Sequence, residues 1–162
     1  MVTRRKIILF LVLWGGLAAV ATPALASEST GIYSKLSNKE LKSRALTVVK
    51  AIRELVYSYN KKDRDLTSVF EAEYLATRTT ERELLRDQWR KKIDATQQVA
   101  LENYRQNFSS NATVLREELQ RRLPKRLRSR DMPKLYSTPA NVMGLEMIAD
   151  HLELLAKSLA ET

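Results

Sequence analysis

The stretch TSVFEAEYLATRTTERELLRDQWRKKIDATQQVALENYRQNF, Thr67 to Phe108, holds neither glycine nor proline, and its reading decides the fold. Phe70 and Tyr74 open an apolar stripe that lapses between Ala76 and Glu83, where only Ala76 is apolar. It resumes with Leu85, Trp89, Ile93, Thr96, Ala100 and Tyr104 at spacings of four and three, the period of a helix with one buried face. Nothing in the gap forbids helix, so the expectation is one continuous helix, a rod about 63 Å long at the helical rise. The alternative is a break near Thr79 and Thr80, where Thr80 and Glu83 would form a capping box. A rod makes an elongated molecule, a break a compact one.

Upstream, Ser37 and Glu40 have capping-box spacing, and Leu36 and Leu41 that of a hydrophobic staple. Leu41, Ala45, Val48, Ile52, Leu55 and Tyr59 then share one helical face. This predicts a helix over 38–61, closed by a charged link from Lys61 to Asp65, with Ser68 and Glu71 as a second capping box opening the long helix. Downstream, Ser109-Ser110-Asn111 reads as a turn before a helix over 111–123 bearing Leu115, Leu119 and Leu123, which Pro124 ends. Lys125 to Ser137, with Pro133, reads as a connection. Thr138 as cap and Pro139 as first residue start a last helix over 139–160, with Val142, Leu145, Ile148, Ala149, Leu152, Leu155, Ala156 and Leu159 as its core face and Gly144 at the margin, where a neighbouring backbone can approach. No segment alternates as a strand does. The fold class is all-α, an antiparallel bundle of three or four helices built on the long central one, in a single domain over 37–162 behind a flexible lead-in, 27–36.

The chain begins with Arg4, Arg5 and Lys6, an apolar run from Ile7 to Ala21, and Ala24-Leu25-Ala26. That is the order of a secretory signal peptide over 1–26, cleaved before Ser27, and it points to the periplasm or beyond. The alternative is an uncleaved inner-membrane anchor over 7–26, making the protein a tethered sensor or assembly subunit. The chain has no cysteine, so an exported domain of this size is held by packing alone. Asn107 and Asn111 sit in glycosylation triplets but read as helix-end residues.

Inventory excludes most catalytic chemistries. Beyond the leader only Gly31 and Gly144 remain, too few for a glycine-rich phosphate loop or a dinucleotide fingerprint. One histidine, His151, and no cysteine leave no thiol nucleophile and no multi-histidine zinc site. Glu146, Asp150 and Glu153 form an acidic stripe on the last helix, read as a solvated flank rather than a metal site. Met147 and His151, one turn apart, cannot reach opposite sides of a haem. No catalytic residue, metal or cofactor is assigned.

Two features remain. Without Arg4, Arg5 and Lys6 the chain keeps 25 of its 28 basic residues against 19 acidic ones, a net charge of +6. The same surplus lies within Arg121, Arg122, Lys125, Arg126, Arg128, Arg130 and Lys134, opposed by Asp131 alone. Basic character is therefore local and suits an anionic partner. Export and the lack of aromatic residues there exclude nucleic acid, leaving lipid headgroups, lipopolysaccharide or an acidic protein, with peripheral membrane contact. The second feature is Met143, Met147 and Leu154, opposite the core face of the last helix. A helix apolar on two sides is central in a bundle, pairs in a homodimer, or offers an adaptable binding surface. In composition the chain resembles the small periplasmic helical chaperones of the envelope stress response, which implies a client-binding surface. Their Leu-Thr-x-x-Gln signature is absent, since Leu66 to Phe70 ends in Phe, so none of their functional residues transfers. The expected function is a non-catalytic, exported helical-bundle binding protein of the bacterial envelope with Arg121 to Lys134 as its anionic-partner surface; the alternative is a chaperone-like module with Met143, Met147 and Leu154 as its client surface.

Overall fold

The computed structural model describes residues 33–124 and 133–159. Among these there are five α-helices and no strand, so the chain is all-α. The helices are α1 (Asn38–Ala76), α2 (Arg82–Asn107), α3 (Ser109–Arg122), α4 (Pro133–Ser137) and α5 (Val142–Ser158). Short 3-10 turns stand at Tyr33–Lys35 and Thr79–Glu81.

The start of α1 follows the sequence expectation. The Ser37 hydroxyl accepts from the Glu40 amide at 3.3 Å, and the Glu40 carboxylate accepts from the Ser37 amide at 2.8 Å. The end does not. The charged segment Lys61 to Asp65 is no link: α1 runs through it for 39 residues, about 58 Å. No glycine or proline interrupts it, and the stripe continues as Tyr59, Asp63, Leu66, Phe70 and Tyr74, all half-buried. Ser68 and Glu71 therefore lie inside a helix and cap nothing.

The expected continuity of 67–108 is overturned in turn. Thr77 and Arg78 both adopt extended backbone, with ψ 142 and 147, and the chain reverses before the 3-10 turn. Thr77 Oγ1 donates to the Glu73 carbonyl at 2.7 Å, and Arg82 Nε donates to the Thr77 carbonyl at 3.1 Å, satisfying groups freed at the break. No side-chain bond caps α2, so the Thr80–Glu83 box does not form. The return of α2 along α1 stacks Trp89 on Phe70, with ring centroids 4.9 Å apart. A straight rod would leave both rings in water, and their burial favours the reversal.

Between Tyr57 and Val99 no side chain is fully buried. That part of α1 and α2 is an arm two helices thick with a single seam. Its members include Phe70, Tyr74 and Trp89, with the Arg82 and Arg86 guanidinium groups 4.8 and 5.0 Å from the Tyr74 ring centroid. The core lies at the other end, where α1 packs mainly on α5 and α2, and α3 on α4 and α5. Leu41, Ile52, Leu101, Tyr104, Leu115 and Leu152 are among its fully enclosed side chains.

Phe108 alone separates α2 from α3, so the expected three-residue turn at Ser109 to Asn111 is already helix. The last helix starts later than predicted. Asn141, not Thr138, is its cap, its side chain accepting from the Gly144 amide at 2.9 Å. Thr138 instead follows the short helix α4, inside the expected connection, and its hydroxyl donates to the Lys134 carbonyl. Pro139 is buried against Gly144, where an added Cβ would stand 3.2 Å from the proline Cβ. The expected close approach at Gly144 is thus made by Pro139.

Candidate functional site

The sequence singled out two groups, and the structure places them differently. Lys125, Arg126, Arg128 and Arg130 lie outside the described residues. Lys134 is exposed on α4. Arg121 is on the last turn of α3, its guanidinium 2.7 Å from the Glu118 carboxylate and its side chain 63% exposed. Arg122 faces inward, with only 15% of its side chain exposed. Its Nε donates to Glu118 at 2.7 Å, Nη1 to the Leu36 carbonyl and the Asn38 side chain at 2.8 and 3.0 Å, and Nη2 to the Tyr33 and Ser34 carbonyls at 3.0 and 3.2 Å. It holds the entry to α1 rather than facing solvent. Tyr33, already within the expected lead-in, is buried, and its hydroxyl donates to Asn111. Hydrogen bonds from Arg121 and Arg122 keep the Glu118 carboxyl below the usual range against the opposing cost of burial.

Met143, Met147 and Leu154 come together on the outer side of α5 and are 68%, 48% and 62% exposed. Among the described residues, this side is therefore not packed at the centre of the bundle. The inner side of α5 carries Val142, Leu145, Ile148, Ala149, Leu152 and Leu155, all buried. Helical spacing separates the two sides: positions 143, 147, 150 and 154 recur on one flank. Asp150 lies among the apolar three and, with Glu153, binds Arg53 of α1. Arg53 carried no sequence signal, because its partners are nearly a hundred residues away.

A polar cluster also escaped the sequence. The Tyr104 hydroxyl donates to the Tyr136 carbonyl at 2.8 Å, and the Tyr136 hydroxyl meets His151 Nδ1 at 2.9 Å. Arg116, buried on α3, lies 5.1 Å from the Tyr136 ring centroid, pairs with Glu117 at 3.3 Å and leaves its Nε without an acceptor. Burial, and then the charge of Arg116, hold the His151 pKa below its usual value; burial pushes both tyrosines up. The arrangement favours the neutral form of His151 and ties α2, α3, α4 and α5 together.

Among the described residues, no three histidine, cysteine or acidic side chains are grouped to hold a metal ion, and no helix is long and apolar enough to cross a membrane. No protein-family model, curated protein or solved structure matches the chain.

Proposed function

We propose that this chain is an exported, non-catalytic interaction protein of the bacterial envelope, an antiparallel helical bundle that binds another protein through the outer side of α5. One observation supports the reading above others: Met143, Met147 and Leu154 are exposed together on a helix whose opposite side fills the core. Exposed apolar side chains scattered singly are ordinary, whereas three on one side of one helix suit a contact surface. Methionine suits such a surface, since its unbranched, polarisable chain adapts to different partners. The signal-like order of residues 1–26 supports export.

The test is suppression of aggregation of a chemically unfolded client by the purified full chain in its exported form, followed by light scattering. The expected result is suppression that Met143→Ser, Met147→Ser and Leu154→Ser together abolish while circular dichroism is unchanged. Suppression unaffected by the triple substitution refutes the reading.

A second reading, attachment to an anionic envelope surface, rests on the concentration of charge between Arg121 and Lys134. Each basic residue near such a surface contributes about 1 kcal/mol, less at high salt. Sedimentation with phosphatidylglycerol vesicles at low salt tests it; no binding there, or binding untouched when Arg126, Arg128 and Arg130 become Ser, sinks it.

A further inference from the structure

Five of the eight large apolar side chains exposed among the described residues lie on the two-helix arm: Tyr57, Val69, Leu75, Leu84 and Val99. Three of them share one flank. Val69 and Glu73 of α1 and Gln88 and Lys92 of α2 line a single cleft beside the Phe70–Trp89 stack, which fixes that flank on both helices. Helical spacing carries it on to Lys62 and Asp65 of α1 and to Leu84, Ala95 and Val99 of α2. All of these side chains are exposed. Tyr57 and Leu75 fall on the far side of α1, and α5 meets the base of the arm on the other flank, at Asn60 and Gln97.

The flank carries Lys62 and Lys92 against Asp65 and Glu73, so it has no net charge, and none of these has an ion-pair partner among the described residues. The other charged residues of the arm's two helices, Lys61, Arg64 and Lys91 among them, fall off it by the same spacing. Glu81, past Leu84, and Glu102, past Val99 and paired with Arg105, lie beyond its ends.

Order along the flank names the occupant. With the Phe70–Trp89 stack as common level and an equal rise per residue, the flank reads Leu84, Glu73, Val69, Lys62, Val99 from tip to base. Turned end for end, the same order sets Leu84 on Val99 and Glu73 on Lys62, each pair twice. Lys92 then lies beside the axis, within reach of the Gln88 amide of the second copy, and Asp65 stays at the outer edge. A parallel pairing instead lays α1 of one copy on α2 of the other. Glu73 then falls between Leu84 and Gln88, and Lys62 between Ala95 and Val99, with no opposite charge. Beyond Val99 this side of α2 remains exposed at Glu102, Asn103 and Gln106, which leaves room for the incoming tip.

We propose that a second copy of this chain packs on this flank, arm against arm and end for end, about a two-fold axis near Lys92. Such an interface is self-complementary: each contact made by one copy is repeated by the other. A face about 30 Å long and about 20 Å wide offers roughly 600 Å² per copy, so the pair buries about 1,200 Å², the lower end of specific interfaces. The pairing gives the arm the second apolar contact that its single seam lacks, and the matched charges set its direction.

The test is sedimentation equilibrium of the purified chain in its exported form. The expected mass is that of two copies. Leu84→Lys is expected to raise the dimer dissociation constant at least about tenfold with unchanged circular dichroism, since each substitution counts twice about the axis. Glu73→Lys and Lys62→Glu should each weaken the dimer alone and restore it when the two variants are mixed. The chain has no cysteine, so Thr79→Cys carries a single spin label at the tip of the arm. Electron paramagnetic resonance should place the two labels about 40 Å apart. A monomer at every concentration, a dimer indifferent to Leu84→Lys and to the charge exchange, or labels side by side overturns the proposal. A dimer lost instead when Met143, Met147 and Leu154 become Ser assigns the pairing to α5 and overturns it as well.

Discussion

Replacing Arg122 by alanine removes five hydrogen bonds from one guanidinium: one to the Glu118 carboxylate, one to the Asn38 side chain, and three to the carbonyls of Tyr33, Ser34 and Leu36. A hydrogen bond to a charged group contributes about 1.5–3 kcal/mol. The sum is not additive, because Ser34 is exposed and its carbonyl can rehydrate, and because Glu118 retains Arg121. What remains is the loss of one partner of a mostly buried charge pair together with stranded carbonyls, about 3 kcal/mol. For a domain of this size that lowers the melting temperature by about 10 °C. Arg122→Lys restores the charge but lacks the planar fork that serves several acceptors at once, and it recovers about half the loss. Arg121→Ala is the control, since its pairing with Glu118 is exposed and screened by solvent and its loss should barely move stability. Urea unfolding of the three variants measures these differences, and trypsin cleavage after Lys35 should accelerate in Arg122→Ala alone. If the two alanine variants lose equally little, or if Arg122→Ala abolishes vesicle binding at unchanged stability, then Arg122 belongs to a partner surface and does not hold the entry to α1.

Acid should destabilise the protein in two windows. His151 has a folded pKa below its ordinary 6.5, so the unfolded chain binds more protons and stability falls as pH drops from about 6.5 through the folded value; urea midpoints from pH 7.5 to 5 should decline in the natural chain and flatten in His151→Gln. A second loss begins below about 4.5, where Glu118, Glu153 and Glu40, all held below that value by their partners, take up protons. Trp89→Ala removes the stack on Phe70 and should cost about 2 kcal/mol within the arm. Hydrogen exchange should then quicken across 62–97 while amides near Leu41 to Ile52 stay protected; uniform acceleration would show that arm and core are one cooperative unit.

Local signals in the sequence were reliable where they were self-contained. The Ser37–Glu40 box and the stripe from Leu41 to Ile52 lie within a few turns of one another, and the structure reproduces both. The core face of α5 was legible for the same reason; the exposure of Met143, Met147 and Leu154 was not, because a second apolar side is equally the mark of a helix central in a bundle. Charge was less legible. Arg121 and Arg122 are neighbours of one type, yet one lies against solvent and the other is enclosed by the entry to α1. The difference is set by backbone some ninety residues away.

By itself the sequence determined that the chain is helical, where α1 begins, which side of α5 is buried, and that no thiol or multi-histidine chemistry is present. These follow from propensity, capping and periodicity, all of which act over a few residues. The tertiary structure alone decided that Lys61 to Asp65 is helix and that the stretch from Thr67 to Phe108 turns back on itself at Thr77 and Arg78. Intrinsic preferences over that stretch are nearly balanced between rod and reversal, because none of its residues breaks a helix. The pairing of Phe70 with Trp89, nineteen positions apart and on opposite sides of the turn, tips the balance by removing both rings from water. The packing of α1 on α5 has the same origin, since the two helices lie at opposite ends of the described residues and meet only after the chain has folded.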